Sequence, residues 1–237
     1  MRNLYVEPER PPEALEWPAL EFHDVFRIFR SGPVETVALR GLDLRVERAE
    51  FVAVLGPSGS GKSTFMALAG ALDVPSAGDV RVFGQSLARL GEAELARLRA
   101  RDLAIVFQSD NLISTLSAHA NVALSVELAG VEQPAAAASR ALAQFGLAER
   151  ATHRADSLSG GEQQRVAIAA AAARNASVVL ADEPTGELDE ANETLVIDAL
   201  EALRTQYSSA VVVVTHSRVV AERADRVIQL RDGRVAA

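Results

Sequence analysis

Nine consecutive residues, Gly56-Pro57-Ser58-Gly59-Ser60-Gly61-Lys62-Ser63-Thr64, carry the types and spacing of a phosphate cradle. Glycines let backbone N–H groups converge on phosphate oxygens without Cβ clashes, and a helix that follows adds the positive end of its dipole. Lys62 can then reach the β- and γ-phosphates, and the Ser63 hydroxyl can ligate Mg²⁺. A plain glycine loop would not require the full G-x-x-x-x-G-K-S order, so the chain is expected to bind a nucleoside triphosphate.

Asp182-Glu183 supplies what this loop lacks. Asp182 can hold Mg²⁺ through its water shell, and Glu183 can face the γ-phosphate and polarise an attacking water. Adjacent carboxylates are common on surfaces, but these end an apolar run. A second glycine-rich anion site lies in Leu158-Ser159-Gly160-Gly161-Glu162-Gln163-Gln164-Arg165. Ser159 could donate its hydroxyl to phosphate, and Gly160 and Gly161 could add backbone N–H groups beside a helix N-terminus. A simple N-cap with flexible glycines is the alternative for this octapeptide taken alone.

These groups need elements to position them. Phe51–Leu55 is a continuous apolar run that reads as a buried strand, and Phe65–Ala69 reads as a helix closed by Gly70. Val178–Ala181 and Ala210–Val214 read as parallel core strands, and Leu103–Phe107 as another that ends on Gln108. Leu20–Val25 and Val37–Val46, separated by a turn at Ser31-Gly32-Pro33, suggest an antiparallel flap, with Asp79–Phe83 a further short strand. Leu95 and Leu98 make Glu92–Arg101 an amphipathic helix. About residues 109–160 form a helix-rich insertion, in which Pro134 opens a helix and Gly146 caps it. Helix after the second glycine site is expected over Val166–Arg174, and a hairpin over Arg226–Val235.

The first 19 residues, with Pro8, Pro11, Pro12 and Pro18 among glutamates, read as an extended arm, leaving 20–237 as one α/β domain. A net charge of −8 gives no electrostatic reason to expect nucleic-acid binding. No apolar run reaches the roughly 18–20 residues that span a bilayer, and the N-terminus lacks a signal-peptide core, so a cytoplasmic location is expected. The absence of cysteine excludes disulfides and thiol catalysis.

From about Leu20 to Val235 the chain strongly resembles the ATP-binding-cassette ATPases, with the motifs in the family's order. Gly56–Thr64 matches Walker A, Leu158–Arg165 the signature, and Val178–Glu183 Walker B with its catalytic glutamate. The resemblance implies a P-loop NTPase-type parallel sheet flanked by helices, an antiparallel β subdomain and an inserted helical subdomain. It assigns Gln108 to the loop that links Mg²⁺ and the attacking water to a membrane partner. It places Asp189, in Glu187-Leu188-Asp189, at a subunit interface, and makes His216 the switch histidine that contacts the γ-phosphate. His23, His119 and His153 are read as structural.

Members of the family stack an aromatic on adenine. Spacing to Gly41–Leu44 favours Phe29, with Phe26 second and a plain core role the alternative. The resemblance further implies a head-to-tail dimer, most simply of two copies, in which the signature of one chain covers ATP on the Walker A of the other. It also implies a separate permease that docks near the Q-loop, with Leu112, Ile113 and Leu116 as candidate contacts or, equally, core residues. Leu180–Gly186 and Gly161–Arg165 look like the cluster of lipoprotein-release, macrolide-efflux and cell-division ATPases. Glu187, Ala170, Ala49 and Ala120-Asn121-Val122 depart from that cluster's usual residues without removing a catalytic group. The rival class, a soluble cassette ATPase in DNA repair or translation, generally carries two cassettes or a long coiled coil.

Overall fold

The structure is a computed structural model, and it describes residues 17–32 and 34–236. Five parallel strands and one antiparallel strand build the larger sheet. They are β3 (Phe51–Leu55), β6 (Leu103–Val106), β7 (Val178–Asp182), β8 (Ala210–Val214), β9 (Arg226–Arg231) and β10 (Arg234–Val235). Their order is β10-β9-β3-β8-β7-β6, with β10 antiparallel to β9. The smaller sheet is antiparallel, in the order β2-β1-β4-β5, from β1 (Leu20–Ser31), β2 (Val34–Val46), β4 (Ala77–Val82) and β5 (Gln85–Ser86).

Continuous apolar runs in the central strands follow from burial on both faces. Val52, Val54, Val178, Leu180, Val212 and Val214 face one core, shared with the antiparallel sheet and with α1 (Lys62–Ala69). Phe51, Val106, Val179, Ala181, Val211 and Val213 face the other, formed with α3 (Ala118–Leu128), α4 (Pro134–Gln144), α5 (Gly160–Ala173) and α6 (Glu190–Tyr207). Alternate residues of one strand thus belong to different cores, as the two-residue period of a strand requires. Phe65 of α1 stacks on Phe22 of β1 at 4.9 Å between ring centroids, joining α1 to the antiparallel sheet.

Helix α2 (Glu92–Arg101) has the bounds expected from its leucines, and Leu95 and Leu98 pack against the first core. Pro134 stands at the start of α4, and Gly146, at φ +72°, follows its end. The helical insertion is closed at its base: Ala155 N donates to Leu116 O, and Ala118 N to His153 O. A short helix, α7 (Arg218–Arg223), follows β8.

Three sequence expectations are corrected. The arm does not extend to Ala19: residues 1–16 lie outside the described residues, whereas Ala19 is fully buried and its N–H donates to Val46 O. Trp17 covers Gly84, where a Cβ would come within 2.5 Å of the indole. Strand β1 continues past Val25 to Ser31, through an irregularity at Asp24, whose φ is +45°. Helix α5 begins at Gly160, six residues before the expected start, because Ser159 and Glu162 form a capping box that overcomes the poor helix propensity of two glycines.

Candidate functional site

Strands β3, β8, β7 and β6 are neighbours and all parallel, so their C-terminal ends lie along one edge of the sheet. Across that edge they deliver the phosphate loop, His216, the Asp182-Glu183 pair and Gln108. The crevice outside the carboxyl ends of parallel strands is where open α/β sheets bind ligands.

The phosphate loop is held from outside. Gly233, in the β9–β10 turn, donates its N–H to Ser60 O and accepts from Arg40 N, which ties the loop to β2. A Cβ on Gly56 would lie 2.3 Å from Leu230 O, and one on Gly233 2.5 Å from Ala38 O, so both positions require glycine for backbone approach. Gly61 takes φ +104° and offers α1 no side-chain cap, which leaves the N–H groups of its first turn for an anion. The Ser60 hydroxyl is buried inside the loop without a hydrogen-bond partner. Lys62 Nζ donates to Gly56 O at 2.7 Å and Pro57 O at 3.0 Å. An orphan donor, free N–H groups and a lysine resting on two carbonyls fit a phosphate chain. Pro57, Ser58 and Gly59 are exposed at the loop's tip, Ser63 is exposed on α1, and Thr64 is half-buried.

Asp182 is half-buried, and its carboxyl is pushed above the ordinary range by burial first and by Glu183 next, against an opposing pull from Lys62. Glu183 adopts φ +46° while its N–H donates to Val214 O. A left-handed conformation costs a residue with a Cβ about 1–2 kcal/mol, and here it turns the carboxylate out of the strand direction. Glu183 Oε2 then meets both the ring Nδ1 and the backbone N of His216, at 2.9 and 3.3 Å. The His216 side chain is 75% exposed and that of Glu183 19%.

Gln108 is exposed just past β6, and its Nε2 donates to Glu187 Oε1 at 3.1 Å. Its backbone is anchored by a residue that sequence reasoning passed over: Gln164 of α5 donates to the carbonyls of both Phe107 and Gln108. Asn121, buried on α3, likewise staples the following loop by accepting from Ile113 N and donating to Ile113 O, Leu116 O and Ser117 O. A polar residue on an otherwise apolar helix face was the available signal for both. Of the suggested permease contacts, Ile113 is 49% exposed, whereas Leu112 and Leu116 are half-buried and Leu112 packs on the core. Phe107, not singled out in the sequence, is also exposed.

Ser159, Gly160 and Gly161 form the N-terminus of α5. Ser159 Oγ accepts from Glu162 N, Ser159 N donates to Glu162 Oε2, and Glu162 Oε1 accepts from Arg150 Nε at 2.8 Å. The exposed hydroxyl therefore keeps its own proton for a further acceptor. A Cβ on Gly161 would lie 2.6–2.9 Å from Asn192 of α6, so this glycine sets how closely the two helices approach. Asn192 in turn donates to Asp189, the N-cap of α6, whose carboxyl it holds below the usual range. These bonds run to Arg150 and α6, and those of the phosphate loop run to β2 and the β9–β10 turn. The phosphate loop and the start of α5 are thus anchored to different parts of the chain.

Phe29 is 43% exposed on β1, with the Arg27 guanidinium 4.6 Å from its ring centroid. Phe26 is half-buried, with its ring edge against Gly41. His119 bonds Ala135 O and Ser139 Oγ within the helical insertion.

A parallel sheet whose strand, glycine loop and helix form a phosphate cradle, beside an acidic pair that ends a second strand, defines a P-loop nucleoside triphosphatase. Residues 39–186 match the sequence family described as ABC transporter. The macrolide export ATP-binding/permease protein MacB of Azoarcus sp. (strain BH72) is 44% identical over 223 residues, 93% of this chain and 34% of that protein. The lipoprotein-releasing system ATP-binding protein LolD of Chromohalobacter salexigens is 42% identical over 219 residues, 92% of each. Among solved structures, a dimeric post-hydrolysis state of the ATP-binding cassette MJ0796 bound to ADP and Pi superposes with a TM-score of 0.84. It is 36% identical and covers 92% of this chain and 97% of that one. The chain belongs to the ABC transporter family and is an ATP-hydrolysing cassette of the MacB and LolD type. It spans about a third of the length of the macrolide-export relatives and nearly all of the lipoprotein-releasing one.

Proposed function

We propose that this chain is the ATPase subunit of a transporter or mechanotransmission complex, in which two copies close head to tail around two ATP molecules and drive a separate membrane permease. The observation that supports this reading is that the phosphate loop and the Ser159–Gly161 helix start are held by different parts of one chain, the loop by β2 and the β9–β10 turn and the helix start by Arg150 and α6. A second subunit brings them together, with Asp189, exposed at the start of α6, at the interface.

Within one such site the chain's residues divide the work. Backbone N–H groups at Gly59, Gly61 and the first turn of α1, with Lys62, bind the phosphates, and Phe29 stacks on adenine. Ser60 adds the buried hydroxyl. Ser63, Asp182 and Gln108 would hold Mg²⁺, which supplies charge neutralisation at the β- and γ-phosphates. Among the described residues no group of three or more His, Asp or Glu side chains could by itself hold a metal ion. That fits an ion that arrives with the phosphates and keeps its waters. Glu183 orients and deprotonates the attacking water, and His216 steadies the γ-phosphate.

No helix of the described residues is long and apolar enough to cross a membrane. Phe107 and Ile113, close to Gln108 in the chain, are exposed; they are the proposed contacts for a permease, which would hold the subunit at the cytoplasmic face of the membrane. The test is affinity purification of the tagged chain from detergent-solubilised membranes, together with light scattering of Glu183→Gln with and without ATP. A co-purifying permease and an ATP-dependent dimer are expected. A ribosome or DNA complex, or a variant that stays monomeric at saturating ATP, would overturn the reading.

A further inference from the structure

The side chains proposed for hydrolysis stand on two different loops, and one half-buried junction ties those loops together. Glu193, one turn into α6, accepts at a single oxygen, Oε1, from Thr185 Oγ1 at 3.2 Å and from Ser217 Oγ at 2.8 Å. Thr185 is two residues past Glu183 and 5% exposed, and its carbonyl accepts from Leu188 N. Ser217 directly follows His216. Its N–H donates to Thr215 Oγ1, and its hydroxyl also caps α7 by accepting from Val220 N. The backbone N–H of Glu193 donates to Asp189 O, in the loop that leads into α6.

We infer that Glu193 is a positioning residue for hydrolysis: it fixes the Glu183 loop and the His216 loop to each other and to the start of α6. This rests on the reading of Glu183 and His216 as the hydrolytic pair. Two hydroxyl donors converging on one carboxylate oxygen are charge-assisted, so they resist displacement better than neutral bonds. Acid–base work needs heavy atoms within about 2.6–3.2 Å, and a shift of about 1 Å can cost on the order of 100-fold in rate. A clamp at Thr185 and Ser217 limits such a shift without touching nucleotide. Since the same residue is bonded to Asp189, movement of α6 at a subunit interface would reach both loops together.

The experiment compares Glu193→Ala, Glu193→Gln and Thr185→Val in the full chain, with Glu183→Gln and His216→Ala alongside. Steady-state ATPase kinetics, melting temperature and the ¹H–¹⁵N spectrum of the His216 ring are recorded. Glu193→Ala should lose about 10-fold or more in kcat, with KM for ATP within about twofold, and should shift the His216 ring resonances. Glu193→Gln, whose amide oxygen can accept both hydroxyls, should recover most of the turnover and the native resonances. Thr185→Val should fall between them. Turnover within twofold of wild type in Glu193→Ala, while Glu183→Gln and His216→Ala are inactive, would overturn the inference alone. A joint fall in kcat, ATP affinity and melting temperature that Glu193→Gln does not rescue would make Glu193 a stability residue and overturn it too. Wild-type turnover in Glu183→Gln and His216→Ala would remove the hydrolytic pair and the inference with it.

Discussion

Glu183 Oε2 lies 2.9 Å from His216 Nδ1 and 3.3 Å from the His216 backbone N, so one carboxylate oxygen fixes both the ring and the main chain of its neighbour. A carboxylate only accepts, so the ring presents Nδ1–H to it and leaves Nε2 on the outer, exposed side. Because Glu183 is held at φ +46° by the Val214 bond, its direction is set before nucleotide arrives.

Glu183→Gln should therefore keep ATP binding and lose about 10²–10⁴-fold in turnover, the range for removing a general base, while the closed dimer accumulates. His216→Ala should lower turnover with binding retained. Single-turnover hydrolysis and nucleotide calorimetry on the two variants separate the effects, and wild-type rates in either would reject that residue's role.

Lys62 rests on Gly56 O and Pro57 O, and on the proposed reading its ammonium exchanges these two carbonyls for phosphate oxygens when ATP binds. A charge-assisted bond to phosphate exceeds one to a carbonyl, and the difference appears as affinity. Lys62→Ala should weaken ATP binding by about 10–100-fold, measured by calorimetry. The loop is held by Gly233 and Leu230 independently of Lys62, so the melting temperature without nucleotide should change little.

The phosphate loop, the acidic pair and the central strands were legible because their signals are local. An apolar run buried on both faces, a glycine pattern and a carboxylate at a strand end each fit within ten residues. What escaped lies in contacts between distant segments. Gly233 looked like an ordinary hairpin turn, but it wedges between β2 and the phosphate loop. Gln164 reads as one more polar residue of the signature helix, but its amide carries the Gln108 backbone across 56 positions. Arg174 enters the sequence reading only as the end of the expected helix. It donates to the carbonyls of Arg99, Ala100 and Leu103, and burial lowers its pKa to about 10. The early start of α5 was the exception, since the Ser159–Glu162 spacing announced it and the glycines masked it.

Arg150 gives the signature helix a pH dependence. Its side-chain hydrogen bond is the main cause that holds the Glu162 carboxyl below the usual range, burial opposes it, and Ser159 N–H adds to it. A carboxyl with a depressed folded-state pKa stabilises the fold fully above its unfolded value, about 4.3. That contribution is lost as pH falls through the lower folded value. Arg150→Ala moves the folded value back toward the unfolded one, so most of this contribution is missing at every pH above that window. The acid-unfolding midpoint followed by circular dichroism should rise, with only about 1–3 °C lost in melting temperature at pH 7, since Arg150 is largely exposed. An unchanged midpoint would mean that the ion pair contributes nothing to the cap.

Phe29 has one ring face occupied by the Arg27 guanidinium, and Arg27 is itself held by two hydrogen bonds to Asp73, at 2.8 and 2.9 Å. The ring is thus oriented from one side only, and 43% of the residue is open to solvent. Phe26, half-buried against Gly41, cannot offer a comparable face without leaving its contact. Stacking a base on an aromatic contributes about 1–3 kcal/mol, so Phe29→Ala should raise the Kd for ATP by about 5–150-fold. Phe29→Tyr should bind as wild type does. Inorganic triphosphate engages the phosphate loop but not the ring, so its affinity should be the same in all three proteins. Equal ATP affinities in Phe29→Ala and wild type would leave Phe29 as an exposed strand residue. A parallel loss for triphosphate would show that the substitution disturbs β2 and the loop it supports.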